Sequence, residues 1–200
     1  MNPQSLIGPM VKFAAAACVA ASFGTAVQAN EPVVIASDNA STTNYPGGTW
    51  SNGSNGGSGF GPWTIASSNG TSGFAGAFIG NPATAGITGI ANPSFGLYAN
   101  PSGSGATVTV SRSFNLPLRV GDSFSFQWAT NWDSDGGNKG FNIFAGGSQI
   151  VNVNQASFPG NITFNDALAI DGSTGYGSAP MTWTFTRTTE TNLEVTSTAR

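Results

Sequence analysis

Apolar and polar residues alternate with a period of two along much of this 200-residue chain. Ala106, Val108 and Val110 alternate with Thr107, Thr109 and Ser111. Phe124, Phe126 and Trp128 do so with Ser123, Ser125 and Gln127, and Met181, Trp183 and Phe185 with Thr182, Thr184 and Thr186. One apolar face and one Ser/Thr face per run is the mark of half-buried antiparallel strands. Shorter runs at 33–36, 63–66, 74–79, 95–99, 141–144, 149–154, 161–164 and 193–196 predict further strands. Turn chemistry separates them: Pro46-Gly47-Gly48, Asn81-Pro82, Asn100-Pro101, Asp135-Gly136-Gly137-Asn138 and Asp171-Gly172. After Ala29 no stretch sustains a helical period over about ten residues. The pattern predicts an all-β fold, an antiparallel two-sheet β-sandwich of jelly-roll type. A β-solenoid would suit the same Gly/Asn/Thr richness, but it needs a repeat of about 20–50 residues, and none recurs.

The N-terminus breaks the alternation. Lys12 precedes an apolar run over 13–27 that closes on Val27-Gln28-Ala29, small residues placed for signal-peptidase cleavage. Residues 1–29 therefore read as a secretory signal peptide, leaving one β-sandwich domain over 30–200. A retained anchor would need about 20 strongly apolar residues, and this run is shorter and rich in alanine. Cleavage places the domain outside the cytoplasm, secreted or at the cell surface, with no membrane insertion afterwards. It also removes Cys18, the single cysteine, so the domain must hold by its core without disulfides. The segment 51–61 (SNGSNGGSGFG) has the composition of a linker, but Trp50 and Trp63 flank it closely, and we expect a loop within the domain. At the far end a strand pattern through Leu193-Glu194-Val195 reaches Arg200 without turn or tail. A sandwich closes by pairing its last strand near its first, so we expect a C-terminally truncated sandwich with further strands beyond.

Charge changes the picture next. Only 8% of residues are charged, and histidine is absent. With Lys12 gone, five bases from the original six face nine acids, a net charge of −4. That balance excludes a basic nucleic-acid binder. Low charge also permits self-association. Fourteen Phe and five Trp supply enough ring surface to dominate a core.

Five blocks occur in order along 36–185: Trp50-Ser-Asn-Gly-Ser-Asn-Gly-Gly-Ser-Gly-Phe-Gly-Pro-Trp63, Gly76-Ala-Phe-Ile-Gly80, Ser94-Phe-Gly-Leu-Tyr98, Val120-Gly-Asp-Ser-Phe124 and Gly137-Asn-Lys-Gly-Phe141. Together they resemble a group of secreted bacterial proteins of unassigned function with a concanavalin A/laminin-G-like jelly-roll domain, often ending in a PEP-CTERM sorting anchor. The resemblance implies extracellular placement and a sandwich, and no catalytic residues. This chain departs from the group by ending before any such anchor.

Candidate chemistry narrows by residue type. Without histidine or a mature cysteine, triads built on either are excluded, and zinc lacks its favoured ligands. A glycosidase needs two carboxyls about 5–10 Å apart. Glu190 and Glu194 share a face of a strand-like segment, but strand rise separates them by roughly 13 Å. We expect no catalysis; a polysaccharide-acting enzyme, or the accessory domain of one, is the alternative.

Asn131-Trp132-Asp133-Ser134-Asp135-Gly136-Gly137-Asn138 offers alternating oxygen ligands around a tight turn, with calcium as the cofactor it would take through Asp133, Asp135 and Asn138. An EF-hand glutamate is missing, since Phe144 stands there. The competing reading is a hydrated hairpin turn between the Trp128 and Phe141 strands. For ligand binding, Trp132 beside Asp133, Asp135 and Asn138 is the first aromatic candidate to stack on a sugar; Trp50, Trp63 and Tyr98 follow, with packing as the competing role for each. The reading is a non-catalytic cell-surface or matrix module whose partners are polysaccharide or cell-envelope components.

Overall fold

A computed structural model of the chain describes residues 33–100, 105–131, 137–156, 162–164 and 179–198. Two units divide the chain, Met1–Val33 and Val34–Arg200, and all strands described below belong to the second. Among the described residues the regular elements are strands and short 3-10 turns. The strands are β1 (Thr64–Ser68), β2 (Phe74–Gly80), β3 (Ser94–Asn100), β4 (Thr107–Ser111) and β5 (Ser123–Trp128). They continue as β6 (Asn138–Ala145), β7 (Ser148–Ala156), β8 (Ile162–Phe164), β9 (Met181–Arg187) and β10 (Leu193–Ser197). Every pairing is antiparallel. Sheet orders are β1-β4, β2-β3, β10-β9-β5 and β6-β7-β8. The fold is all-β with antiparallel sheets, consistent with a β-sandwich.

The strongest alternation builds the deepest core. Met181, Trp183 and Phe185 on β9, the middle strand of its sheet, are buried together with Val151, Val153 and Ile162 of the β6-β7-β8 sheet. Phe124, Phe126 and Trp128 pack against them from β5, Phe141 and Ile143 from β6, and Leu193 and Val195 from β10. Phe124 stacks on Phe185 with centroids 4.7 Å apart, and Phe141 meets Trp183 edge-on at 5.1 Å. Interlocked rings of this kind add to the area they remove from water. At one end of this core the buried Thr130 donates to Oε1 of the buried Gln155 at 3.0 Å.

Local turn chemistry sets the register of β6 on β7. Gly146 and Gly147 both take positive φ (57° and 87°) between the paired Ala145 and Ser148. That is the two-residue hairpin whose twist matches right-handed strands. Two expectations are corrected. The segment 33–36 forms no strand: Val33 and Val34 stand exposed, and Ser37 is the first residue here to bridge, to Ser58. The connection after Trp128 is no hairpin turn either, because β5 pairs with β9 while β6 pairs with β7. Phe126 and Phe141 meet edge-on at 4.8 Å from these separate sheets.

Candidate functional site

Arg112 follows β4 in its inward phase, after Val108 and Val110, and carries a charge into a half-buried interior. Its guanidinium pairs with Asp38, the two side chains being 6% and 8% exposed. It also donates to the Gly61 carbonyl at 2.8 Å, the Gly56 carbonyl at 3.2 Å and Asn55 Oδ1 at 3.1 Å. The cation lies over the rings of Phe60 and Trp63, at 4.5 and 4.8 Å from their centroids. A buried guanidinium needs such multiple acceptors to offset its desolvation.

The same network holds Tyr45 and Trp63. Trp63 Nε1 donates to Tyr45 Oη at 2.8 Å, and Tyr45 Oη donates to Asp38 Oδ2 at 2.6 Å. Burial raises the Tyr45 phenol above its usual pKa of 10.0, and the Asp38 carboxylate adds to the rise while the Trp63 N–H opposes it. Trp50, 6% exposed, meets Trp63 edge-on at 5.2 Å and Phe95 at 4.6 Å. Asp38 accepts from Arg112 and Tyr45 on Oδ2 and from Asn44 on Oδ1, so its carboxylate is engaged in holding the network together. The arrangement is a clamp on segment 51–61. Trp50 and Trp63, read from the sequence as sugar-stacking candidates, are held inside it.

Tyr98 is placed differently. In the β2–β3 register it stands opposite Gly76, while Phe78 stands opposite Gly96. Phe74, Gly76, Phe78 and Gly80 share this face with Ser94, Gly96, Tyr98 and Asn100, because side chains alternate along each strand. The rings lie down across the glycines. A Cβ on Gly96 would fall 2.4 Å from Phe78 Cζ, and one on Gly76 would fall 2.8 Å from Tyr98 Oη. Gly76 and Gly96 therefore make the room in which the rings lie. Phe78 and Tyr98 are 46% and 42% exposed, with centroids 6.1 Å apart and planes inclined by 51°. On the opposite face Phe95 packs on Tyr45 and Trp50, which anchors the strand pair and leaves the Phe78–Tyr98 side to solvent. Phe78 was not a candidate from the sequence; its place opposite a glycine appears only once the register is known.

The remaining candidates separate as follows. Trp132, Asp133 and Asp135 lie outside the described residues. Asn138 opens β6, exposed, and its Oδ1 accepts from Asn154 Nδ2 at 3.0 Å. Among the described residues no three His, Cys, Asp or Glu side chains group as a metal site would require. Glu190 is not strand-borne with Glu194 as expected: it lies in the turn between β9 and β10, paired with Arg187 at 2.6 Å. That turn closes because Thr188 N–H donates to the Asn192 carbonyl. Comparisons of the chain with protein-family models, with curated proteins and with solved structures find no match.

Proposed function

We propose that the chain is a secreted, non-catalytic module of a cell surface or extracellular matrix, a jelly-roll β-sandwich that binds glycan through its Phe78–Tyr98 face. One observation carries this reading: two aromatic rings lie side by side on glycines, each open to solvent, with no charged residue on that face. An aromatic ring presented flat offers a broad apolar surface at little entropic cost, since two χ angles are already fixed by packing. The apolar side of a pyranose ring fits such a surface, and the Tyr98 hydroxyl and Asn100 amide supply polar contacts at its edge. The absence of histidine from the whole chain supports binding without catalysis.

The test is retention of the full chain on a broad polysaccharide panel, by affinity electrophoresis for soluble polymers and co-sedimentation for insoluble ones. At least one polymer retains the protein, and Tyr98→Leu weakens that retention about ten-fold, the scale of a lost stacking contact. No retention across the panel overturns the reading.

A further inference from the structure

Resting on that glycan reading, we infer that the Phe78–Tyr98 face selects single chains of a neutral β-linked polysaccharide, taking two consecutive sugar rings, and discriminates against polyanions and crystalline surfaces. Three observations lead there.

The first is charge. None of the eight residues on this face is charged, and the chain carries a formal net charge of −3. A carboxylate or sulfate seated here would lose hydration with no cation to replace it, and would meet a repulsive protein at low ionic strength.

The second is shape. The rings lie on an exposed sheet face with no side chain standing between them and solvent at the opposing positions, Gly76 and Gly96. A face of this form contacts the middle of a polymer as it passes; a terminal sugar would call for an enclosing pocket. Rings 6.1 Å apart suit neighbouring sugars of an extended chain, and β-linked residues with equatorial hydroxyls are those that turn a flat C–H surface outward.

The third is tilt. Planes inclined by 51° cannot both lie against one flat array of chains, as on a crystalline fibre. They can each meet a sugar of a single chain that turns between successive residues.

The experiment compares polymers that differ in one property at a time. Hydroxyethyl-cellulose, neutral arabinoxylan and mixed-linkage β-glucan serve as soluble neutral β-linked chains, carboxymethyl-cellulose as a charged counterpart, and microcrystalline cellulose as the ordered surface. The full chain is retarded by at least one neutral polymer, and roughly ten-fold less by the charged one at low salt. Microcrystalline cellulose does not sediment it. Tyr98→Leu and Phe78→Leu each abolish most of the retardation, while Tyr98→Phe keeps it within about two-fold. The leucine variants keep an apolar cover over the glycines, and unchanged thermal midpoints show that the strand pair remains folded. Equal or stronger binding to carboxymethyl-cellulose, lost on Tyr98→Leu, overturns the selectivity and leaves glycan binding standing. So does sedimentation with microcrystalline cellulose. Neutral binding that survives both leucine substitutions overturns the assignment to this face. If no polymer binds, the glycan reading falls too; sedimentation velocity showing a dimer lost on Tyr98→Leu would then assign the face to contact between copies.

Discussion

The ring cluster around Phe185 and the one around Trp50, Trp63 and Phe95 contain the same kinds of side chain but are held by different means. In the first, Trp183 and Phe185 are wholly buried between two three-stranded sheets and touch mainly other apolar groups. In the second, Trp63 is half-buried, and its cluster is tied through Tyr45 and Asp38 to the Arg112 guanidinium. The first is secured by area removed from water, the second by a few directional bonds to loop carbonyls. Phe114 links them, meeting Phe60 at 4.9 Å and Phe124 at 5.1 Å. A second arginine repeats the device. Arg187 donates to the carbonyls of Leu118, Thr189 and Glu190, fastening two surface segments with one side chain. In a chain with six basic residues in all, two are spent on holding irregular backbone in place.

The comparison breaks most visibly at Phe185. Phe185→Ala leaves a cavity beneath Phe124 and Phe126, whose rings stack at 4.7 and 6.0 Å from it. We expect a loss of about 4 kcal/mol, the scale of a deleted core ring, seen as a lowered urea midpoint with unchanged m-value. A loss below about 1 kcal/mol would mean that this cluster is not the main source of stability.

Phe185 was legible from the sequence, and so were the strands around it, because period-two alternation reports directly which residues a half-buried strand turns inward. The sheet partners of β5 and β6 were not, since alternation gives the face of a strand and leaves its neighbour open. Arg112 was readable in principle. It extends the inward phase of Val108 and Val110, and a charge in that phase demands a buried partner. Asp38 lies 74 positions away, and nothing local points to it. Tyr98, named from the sequence, stands exposed, and so does Phe78, which was not named. In Phe74-Ala-Gly-Ala-Phe-Ile-Gly80 both phases hold apolar residues, so the outward one is not distinguishable before pairing is known.

Arg112 gives the next largest effect and the sharpest contrast. Arg112→Met keeps a long apolar stem between Phe60 and Trp63 but strands the Asp38 carboxylate and the Gly56 and Gly61 carbonyls. Breaking a buried pair by removing one partner costs about 3 kcal/mol. If the two clusters are secured separately, that loss is local. Amide hydrogen exchange accelerates at Ser58, Gly61 and Trp63, whose N–H groups bond to Ser37, Ser113 and Ser54, while the amides of β9 keep their protection. Equal acceleration in β9 would show that Phe114 couples the clusters into one cooperative unit.

The smallest effect refines the comparison through pH. Tyr45 keeps its proton to higher pH in the folded chain than when unfolded, because burial and the neighbouring Asp38 carboxylate both disfavour the phenolate. The unfolded phenol deprotonates near pH 10, so above that value the folded state binds more protons than the unfolded one. Stability therefore falls with rising pH in this window. The contribution is fully present below about pH 10 and is lost as pH climbs through the raised folded value. The ring cluster around Phe185 holds no titrating group among its buried members, so a pH-dependent loss in this window should begin in the Trp63 cluster. Tyr45→Phe removes the hydroxyl that joins Trp63 to Asp38 and costs about 1–2 kcal/mol at neutral pH, the scale of a buried donor and acceptor left unpaired. It also flattens the alkaline decline, since no phenol remains to titrate at that position. Urea midpoints of both proteins across this pH range decide the matter. If the two lines stay parallel, Tyr45 does not govern the alkaline stability of the clamp, and the hydrogen bond it makes to Asp38 acts only through its geometry.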